Sequence, residues 1–234
     1  VGSSEEDALF GFGYAQAEDH LTDMLMNFLT AQGRRSEFLG PTHLEQDFLM
    51  RQFRVPESGE QGLKSAGERL RHLVSAFSGG INRYMEDHPE KVPAWARGIR
   101  VSPEDIMAWA AYITISRPLA DARREAGPGL RPGGLEAVGS NQWVVGRSRA
   151  EGRAPIFLMD PHLPWTGPNR WYEAHLVGGD LNVSGASFYG LPFIALPEAE
   201  WVKYEFKGLL KLDRIFPQGI EIPKVFIGKS VLHL

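Results

Sequence analysis

The chain has 234 residues, 43% hydrophobic and 23% charged, which supplies a core for one large or two small domains and excludes wholesale disorder. Its formal net charge of −4 gives no general attraction to phosphate backbones, so nucleic acid is a poor partner. The absence of cysteine excludes disulfides, thiolate metal sites and a cysteine nucleophile, and leaves the compartment open.

No uninterrupted apolar run approaches the roughly 20 residues of a membrane span. The sequence opens at Val1 without a basic, apolar signal peptide, so any export signal is expected to have been removed or never recorded. Ser4 with Asp7 three residues on predicts a capping box, and Glu5 and Glu6 suit the positive end of a helix dipole. Apolar residues at Phe10, Tyr14, Ala17, Leu21, Met24 and Phe28 alternate steps of four and three, one face of a helix that Gly33 and then Gly40-Pro41 should end.

A short helix is expected over Leu44 to Phe53, and a longer one through Ala66, Leu70, Leu73, Phe77, Ile81 and Tyr84, stopping before Pro89. Ser102-Pro103-Glu104-Asp105 combines a cap, a first-turn proline and acids, and the helix it starts should bury Ile106, Trp109 and Ile113. Residues 1–124 therefore read as a helical leader. Residues 125–139 contain Gly127-Pro128-Gly129 and Pro132-Gly133-Gly134, which sustain neither helix nor central strand and predict an exposed, mobile connector.

Beyond the connector the period shortens. Asn141 to Gly146, Ile156 to Met159, Trp171 to Val177 and Leu181 to Ala186 have strand length, with Glu151-Gly152 expected to turn the first hairpin. The fold class is thus α+β: a helical leader, then antiparallel strands from residue 140. Gly11-Phe12-Gly13 lacks the rest of a phosphate loop and sits in the helical pattern. Asp160, His162 and His175 match no compact ligand spacing, so no metal site is expected.

The switch from helix to strand falls at Gly139-Ser140. A serine hydroxyl is a weak nucleophile that needs a base within hydrogen-bond reach. A free α-amino group, with a pKa of about 7.7–8.0, would supply one on the same residue if the Gly139-Ser140 bond were cut. Gly139 has no side chain to obstruct attack by the Ser140 hydroxyl on its carbonyl. Standing alone, Gly-Ser-Asn is also a common turn.

The wider pattern is more specific. Gly139-Ser140-Asn141-Gln142-Trp143-Val144-Val145 with Asp160-Pro161-His162-Leu163 resembles the start of the catalytic chain in the penicillin acylase (penicillin amidase) family of N-terminal-nucleophile hydrolases, which includes cephalosporin and acyl-homoserine-lactone acylases. Gly11-Phe12-Gly13-Tyr14-Ala15-Gln16-Ala17-Glu18-Asp19-His20-Leu21 resembles a helix of the same family, with His20 where arginine is more usual. Gln32-Gly33-Arg34 and Glu37-Phe38-Leu39-Gly40 are further matches, and the resemblance covers roughly residues 5 to 195.

The resemblance implies an αββα fold and an amidase that cleaves linear amides, N-acyl β-lactams or acyl-homoserine lactones among them. Ser140 would be both the autoproteolytic residue and the nucleophile, with its freed amine as base. Gly139, Ser140 and Asn141 would form the processing site, Asn141 being equally a turn or strand-edge residue. His162 would orient the amine or bind the substrate carbonyl, its alternative being a turn residue after Pro161. Trp143 and Trp165 would line an acyl pocket unless they are simply core, as would Trp171. Asp160 reads as a turn residue that satisfies backbone donors.

No cofactor is implied beyond the structural calcium of some members, whose ligands are not identifiable in this sequence. The partner would be a small amide substrate, the cut chains would stay together as a heterodimer, and the family's setting is periplasmic or secreted. Tyr189 to Leu196 resembles the family's Pro-Gly-x-Pro strand, but the Gly-His-Asn turn expected next is replaced by Pro197-Glu198-Ala199-Glu200-Trp201. Residues 1–196 hold 17 arginines and 2 lysines, residues 197–234 only 1 arginine and 5 lysines, so the tail is expected to be foreign to the family and the site truncated. The resemblance places both halves of the family's oxyanion hole beyond this point, where neither can be assigned, and each missing donor removes about 10²- to 10³-fold in rate. The alternative function is a catalytically incomplete remnant or binding protein in which Ser140 is not processed.

Overall fold

A computed structural model describes residues 1–125, 140–151, 156–162, 167–168, 170–197, 225–227 and 230–232. Among these residues six α-helices precede the strands: α1 (Glu5–Ala31), α2 (Arg35–Leu39), α3 (Leu44–Gln52), α4 (Val55–Ser65), α5 (Glu68–Asp87) and α6 (Pro103–Glu125). Seven described strands follow: β1 (Ser140–Val145), β2 (Ile156–Pro161), β3 (Trp171–Gly178), β4 (Leu181–Phe188), β5 (Leu196–Pro197), β6 (Val225–Ile227) and β7 (Ser230–Leu232). Their pairings are antiparallel: β1 with β2, β3–β4–β5 in order, and β6 with β7. The architecture is α+β, as expected. No helix among the described residues is long and apolar enough to cross a membrane.

The capping signals act as read. Ser4 Oγ accepts from Asp7 N at 3.0 Å while Asp7 Oδ2 accepts from Ser4 N at 3.1 Å, and Ser102 with Asp105 repeats the arrangement at α6. Each exchange satisfies two backbone donors that a helix start would leave unpaired. Two corrections concern α4 and α5. Val55–Ser65 is helical where no helix was expected, and the long helix starts at Glu68, after a break at Ala66-Gly67. Pro56 stands in the first turn of α4, where its missing N–H costs nothing.

The apolar stripe of α1 also needs correction. Ala17, Leu21, Met24 and Phe28 are buried, but Phe10 is 40% exposed and Tyr14 only half-buried. Leu9, Phe12, Gly13 and Gln16 carry the buried face there instead. Phe10 and Tyr14 lie along the flank facing α5, Phe10 beside Gly79 and Tyr14 edge-on to Tyr84 with ring centroids 5.3 Å apart. Helices α1 and α5 approach so closely that a Cβ on Gly80 would fall 1.9 Å from the Phe10 carbonyl oxygen, and one on Gly13 2.1 Å from that of Phe77. Only glycine permits this contact.

One core unites the leader with the strands. Leu176, Tyr189, Leu191 and Ile194 belong to the same buried cluster as Phe12, Phe28, Phe77 and Trp109. Ile106 and Trp109 are buried as expected, whereas Ile113 is only partly buried. Two buried polar side chains pin loops to this core: Asn82 brackets Val101 through its amide, and Asp47 accepts from Arg35 N and Ser36 N at 3.0 and 2.6 Å. Asn82 thereby satisfies the backbone of buried Val101, and Asp47 satisfies two partly buried donors at the start of α2.

Candidate active site

Trp143, Val144 and Val145 face Leu158, Phe157 and Ile156 across the β1–β2 hairpin, the β-branched and aromatic content that a pleated pair favours. The connection leaves β1 at Gly146, whose carbonyl accepts from Arg149 N and Ala150 N, while Gly152 of the expected Glu151-Gly152 turn lies outside the described residues. Its register sets Ser140 opposite Pro161 and Asn141 opposite Asp160. His162 follows directly after β2. The hairpin therefore brings the main chain of Ser140 beside His162 across 22 positions of sequence.

Asn141 and His162 meet through their side chains, with Asn141 Nδ2 3.1 Å from His162 Nε2. Asn141 is half-buried and His162 exposed. Trp143 is half-buried on β1, opposite Leu158. Gly139 and Trp165 lie outside the described residues, as do most of the connector and of the tail after Pro197. Trp171 is half-buried and stacks on Phe188 at 4.0 Å, a strand–strand contact. His175 bonds to Asn182 across β3 and β4 at 2.8 Å, and no cluster of metal-ligating side chains occurs among the described residues. A cavity of about 280 Å³ opens between the C-terminal part of α5 and Arg97–Arg100, with no lining from β1 or β2.

A second set of contacts, not foreseen from the sequence, ties α1 to the β3–β4 hairpin. Gln16 is fully buried: its Oε1 accepts from Gly190 N at 2.9 Å and its Nε2 donates to the Leu191 carbonyl at 3.3 Å. Trp109 Nε1 donates to the Tyr189 carbonyl at 2.8 Å. The segment expected to be strand at Tyr189-Gly190-Leu191 is therefore a buried turn, with Gly190 at φ 85° packed against Phe28 and Trp109. Asp19 accepts from the Tyr172 hydroxyl at 2.7 Å, and Asp23 pairs with Arg170. Burial, with the Asp19 carboxylate beside it, holds the Tyr172 hydroxyl well above the usual phenol range.

His20 completes this seam. Its backbone leaves the helical region at φ −142° and ψ 30°, kinking α1, and its ring stacks on Tyr189 at 4.1 Å. Burial holds the imidazole below the ordinary 6.5; Arg170 adds to the shift, while Asp19 and Asp23 oppose it. Between the folded and ordinary values the unfolded chain binds more protons, so stability is lost as pH falls through 6.5. Denaturation midpoints measured across that range should drop for the parent and flatten for His20→Gln. A parent midpoint that rises on acidification through this window contradicts the assignment.

A family model described as penicillin amidase matches residues 1–200. Acyl-homoserine lactone acylase PvdQ of Pseudomonas syringae pv. tomato is 25% identical over 232 residues, covering 83% of this chain and 30% of the relative. The PvdQ of Pseudomonas fluorescens is 27% identical over 219 residues, covering 79% and 28%. Acyl-homoserine lactone acylase QuiP of Pseudomonas aeruginosa is 25% identical over 243 residues, covering 80% and 29%. The chain thus spans at most 30% of the length of these curated relatives. Among solved structures, a thermostable penicillin G acylase from Alcaligenes faecalis aligns with a TM-score of 0.44 and 23% identity, over 54% of this chain and 74% of that one.

Proposed function

The chain belongs to the penicillin amidase family, and from that premise we propose that it carries the helical leader and opening catalytic strands of an amidase-type hydrolase whose nucleophile is Ser140. The observation that carries the reading is the hairpin register: Ser140 opens β1 directly beside His162, with Asn141 bridging the two strands. The named relatives are acyl-homoserine lactone acylases, which favours a linear N-acyl amide as substrate.

The chemistry runs in two stages. In processing, the Ser140 hydroxyl oxygen attacks the Gly139 carbonyl carbon, the Gly139–Ser140 C–N bond breaks, and the nitrogen takes up the hydroxyl proton. Water then hydrolyses the ester, leaving a carboxylate on Gly139 and a free amine and hydroxyl on Ser140. In catalysis that amine accepts the hydroxyl proton as the oxygen attacks the substrate acyl carbon and passes it to the departing amine. Water releases the acid. His162 serves as the orienting or carbonyl-binding group, and Trp143 and Trp165 contribute to the acyl pocket.

The cut chains would remain a heterodimer, because core residues from both sides of the cut interdigitate and Gln16 and Trp109 grip the Tyr189–Leu191 turn. We read the setting as periplasmic or secreted. Incubation of the purified chain, followed by intact mass, should give pieces of 139 and 95 residues, the second beginning Ser-Asn-Gln. They should co-elute on gel filtration. One unbroken species after prolonged incubation overturns the processing.

A further inference from the structure

Resting on the roles read above for Ser140 and His162, we propose that Asn141 is a positioning residue that fixes the tautomer of His162, placing the ring proton on Nδ1. The contact is between Asn141 Nδ2 and His162 Nε2 at 3.1 Å. An amide nitrogen carries two donors and no acceptor, so the ring nitrogen it faces must present a lone pair. In a neutral imidazole the other nitrogen then holds the proton.

The sheet makes this contact a fixed one. Asn141 stands within β1, opposite Asp160, and His162, the first residue after β2, lies two positions beyond Asp160, at the diagonal on the same face. Successive side chains on a strand alternate faces, so no other residue of β1 from Asn141 to Val145 reaches that diagonal as closely. An aspartate at 141 would demand a donor from Nε2 and reverse the tautomer. A serine hydroxyl both donates and accepts, and would leave the tautomer unspecified.

The assignment separates two roles for His162. With Nε2 committed to Asn141, the ring cannot use that nitrogen to take a proton from Ser140, and what it offers is the Nδ1–H donor. It is then suited to orienting an amine or holding a carbonyl oxygen, and general-base work falls to the Ser140 amine. Asn141 acts only through His162, without touching the reacting atoms.

The test is nitrogen NMR on the full chain labelled at histidine and carrying Ser140→Ala, in alkaline buffer where histidine rings are neutral. His162 is identified by the signals lost in His162→Gln. The proposal expects a pyrrole-type shift at Nδ1 and a pyridine-type shift at Nε2, reversed in Asn141→Asp and moved towards Nε2–H in Asn141→Ala. A parent spectrum with Nε2–H, as an amide turned to present Oδ1 would require, overturns it. So does a tautomer unchanged in both Asn141 variants. The parent spectrum decides even if a variant misfolds. Because the measurement uses an uncut chain, it is independent of the hydrolase reading, which fails separately if the parent Ser140 chain never divides.

Discussion

Ser140→Ala is expected to remain a single 234-residue species under conditions in which the parent chain divides at Gly139–Ser140. The effect is all-or-none because the step has one chemical requirement that alanine lacks. An amide nitrogen leaves its carbonyl only when another atom takes the acyl group, and the Ser140 hydroxyl is the acceptor adjacent to the bond. The pairing of Ser140 with Pro161 is a main-chain register, so the hairpin should persist in the variant. Time courses of intact mass on the two proteins, prepared in parallel, provide the measurement. Equal scission in both would assign the cut to a contaminating protease and remove Ser140 from the mechanism. Scission in neither would place the fault in the proposed processing rather than in the substitution.

The leader was legible where local rules act alone. The capping box of α1 and the cap of α6 depend only on residues three apart, and both formed, the second as a capping box as well. Helix α4 was missed because Val55-Pro56-Glu57-Ser58-Gly59 reads as a breaker. In the fold, Pro56 is a first-turn residue and Gly59 is required by packing, since a Cβ there would lie 2.5 Å from the backbone nitrogen of Ala108 on α6. Tertiary contact overrode propensity. The stripe on α1 failed for a related reason. Its true face near the N-terminus includes Gly13 and Gln16, which a count of large apolar residues skips in favour of Phe10 and Tyr14.

Of the candidate site, the strands were legible and the contacts between them were not. The register sets Asn141 opposite Asp160, and because the pleat repeats every two residues Asn141 and His162 fall on one face, where they meet. The seam between α1 and the β3–β4 hairpin was less legible still. Gln16, Asp19 and His20 lie within the helical segment that carries the family resemblance, yet their partners Gly190, Tyr172 and Tyr189 are more than 150 positions away. A polar glutamine in an otherwise apolar stripe was the available signal. That segment joins the leader to the strands.

Trp109→Ala should produce the largest loss of stability of any substitution considered. Trp109 is 0% exposed, the largest of the fully buried side chains among the described residues, and its ring stacks on Tyr112 with centroids 5.0 Å apart. Truncating a buried tryptophan typically costs about 3–5 kcal/mol through lost transfer energy and the cavity left behind. The variant also strips the Tyr189 carbonyl of its Nε1 donor, and an unsatisfied buried acceptor adds about 1–3 kcal/mol where water cannot replace it. Against the roughly 5–15 kcal/mol that ordinarily separates folded from unfolded chains, the sum of about 4–8 kcal/mol is a large share of the margin. Trp109→Phe helps to separate the two contributions, since it removes the donor while keeping most of the volume. Denaturant midpoints should fall in the order parent, Trp109→Phe, Trp109→Ala. The damage should appear on both sides of the connector, because Trp109 on α6 holds a turn that lies beyond Ser140. Hydrogen exchange would show it as faster opening of β4 as well as of α6. If β4 kept its protection in Trp109→Ala while α6 opened, the leader and the strands would be energetically separate, and the claim that the cut pieces stay together would lose its structural basis.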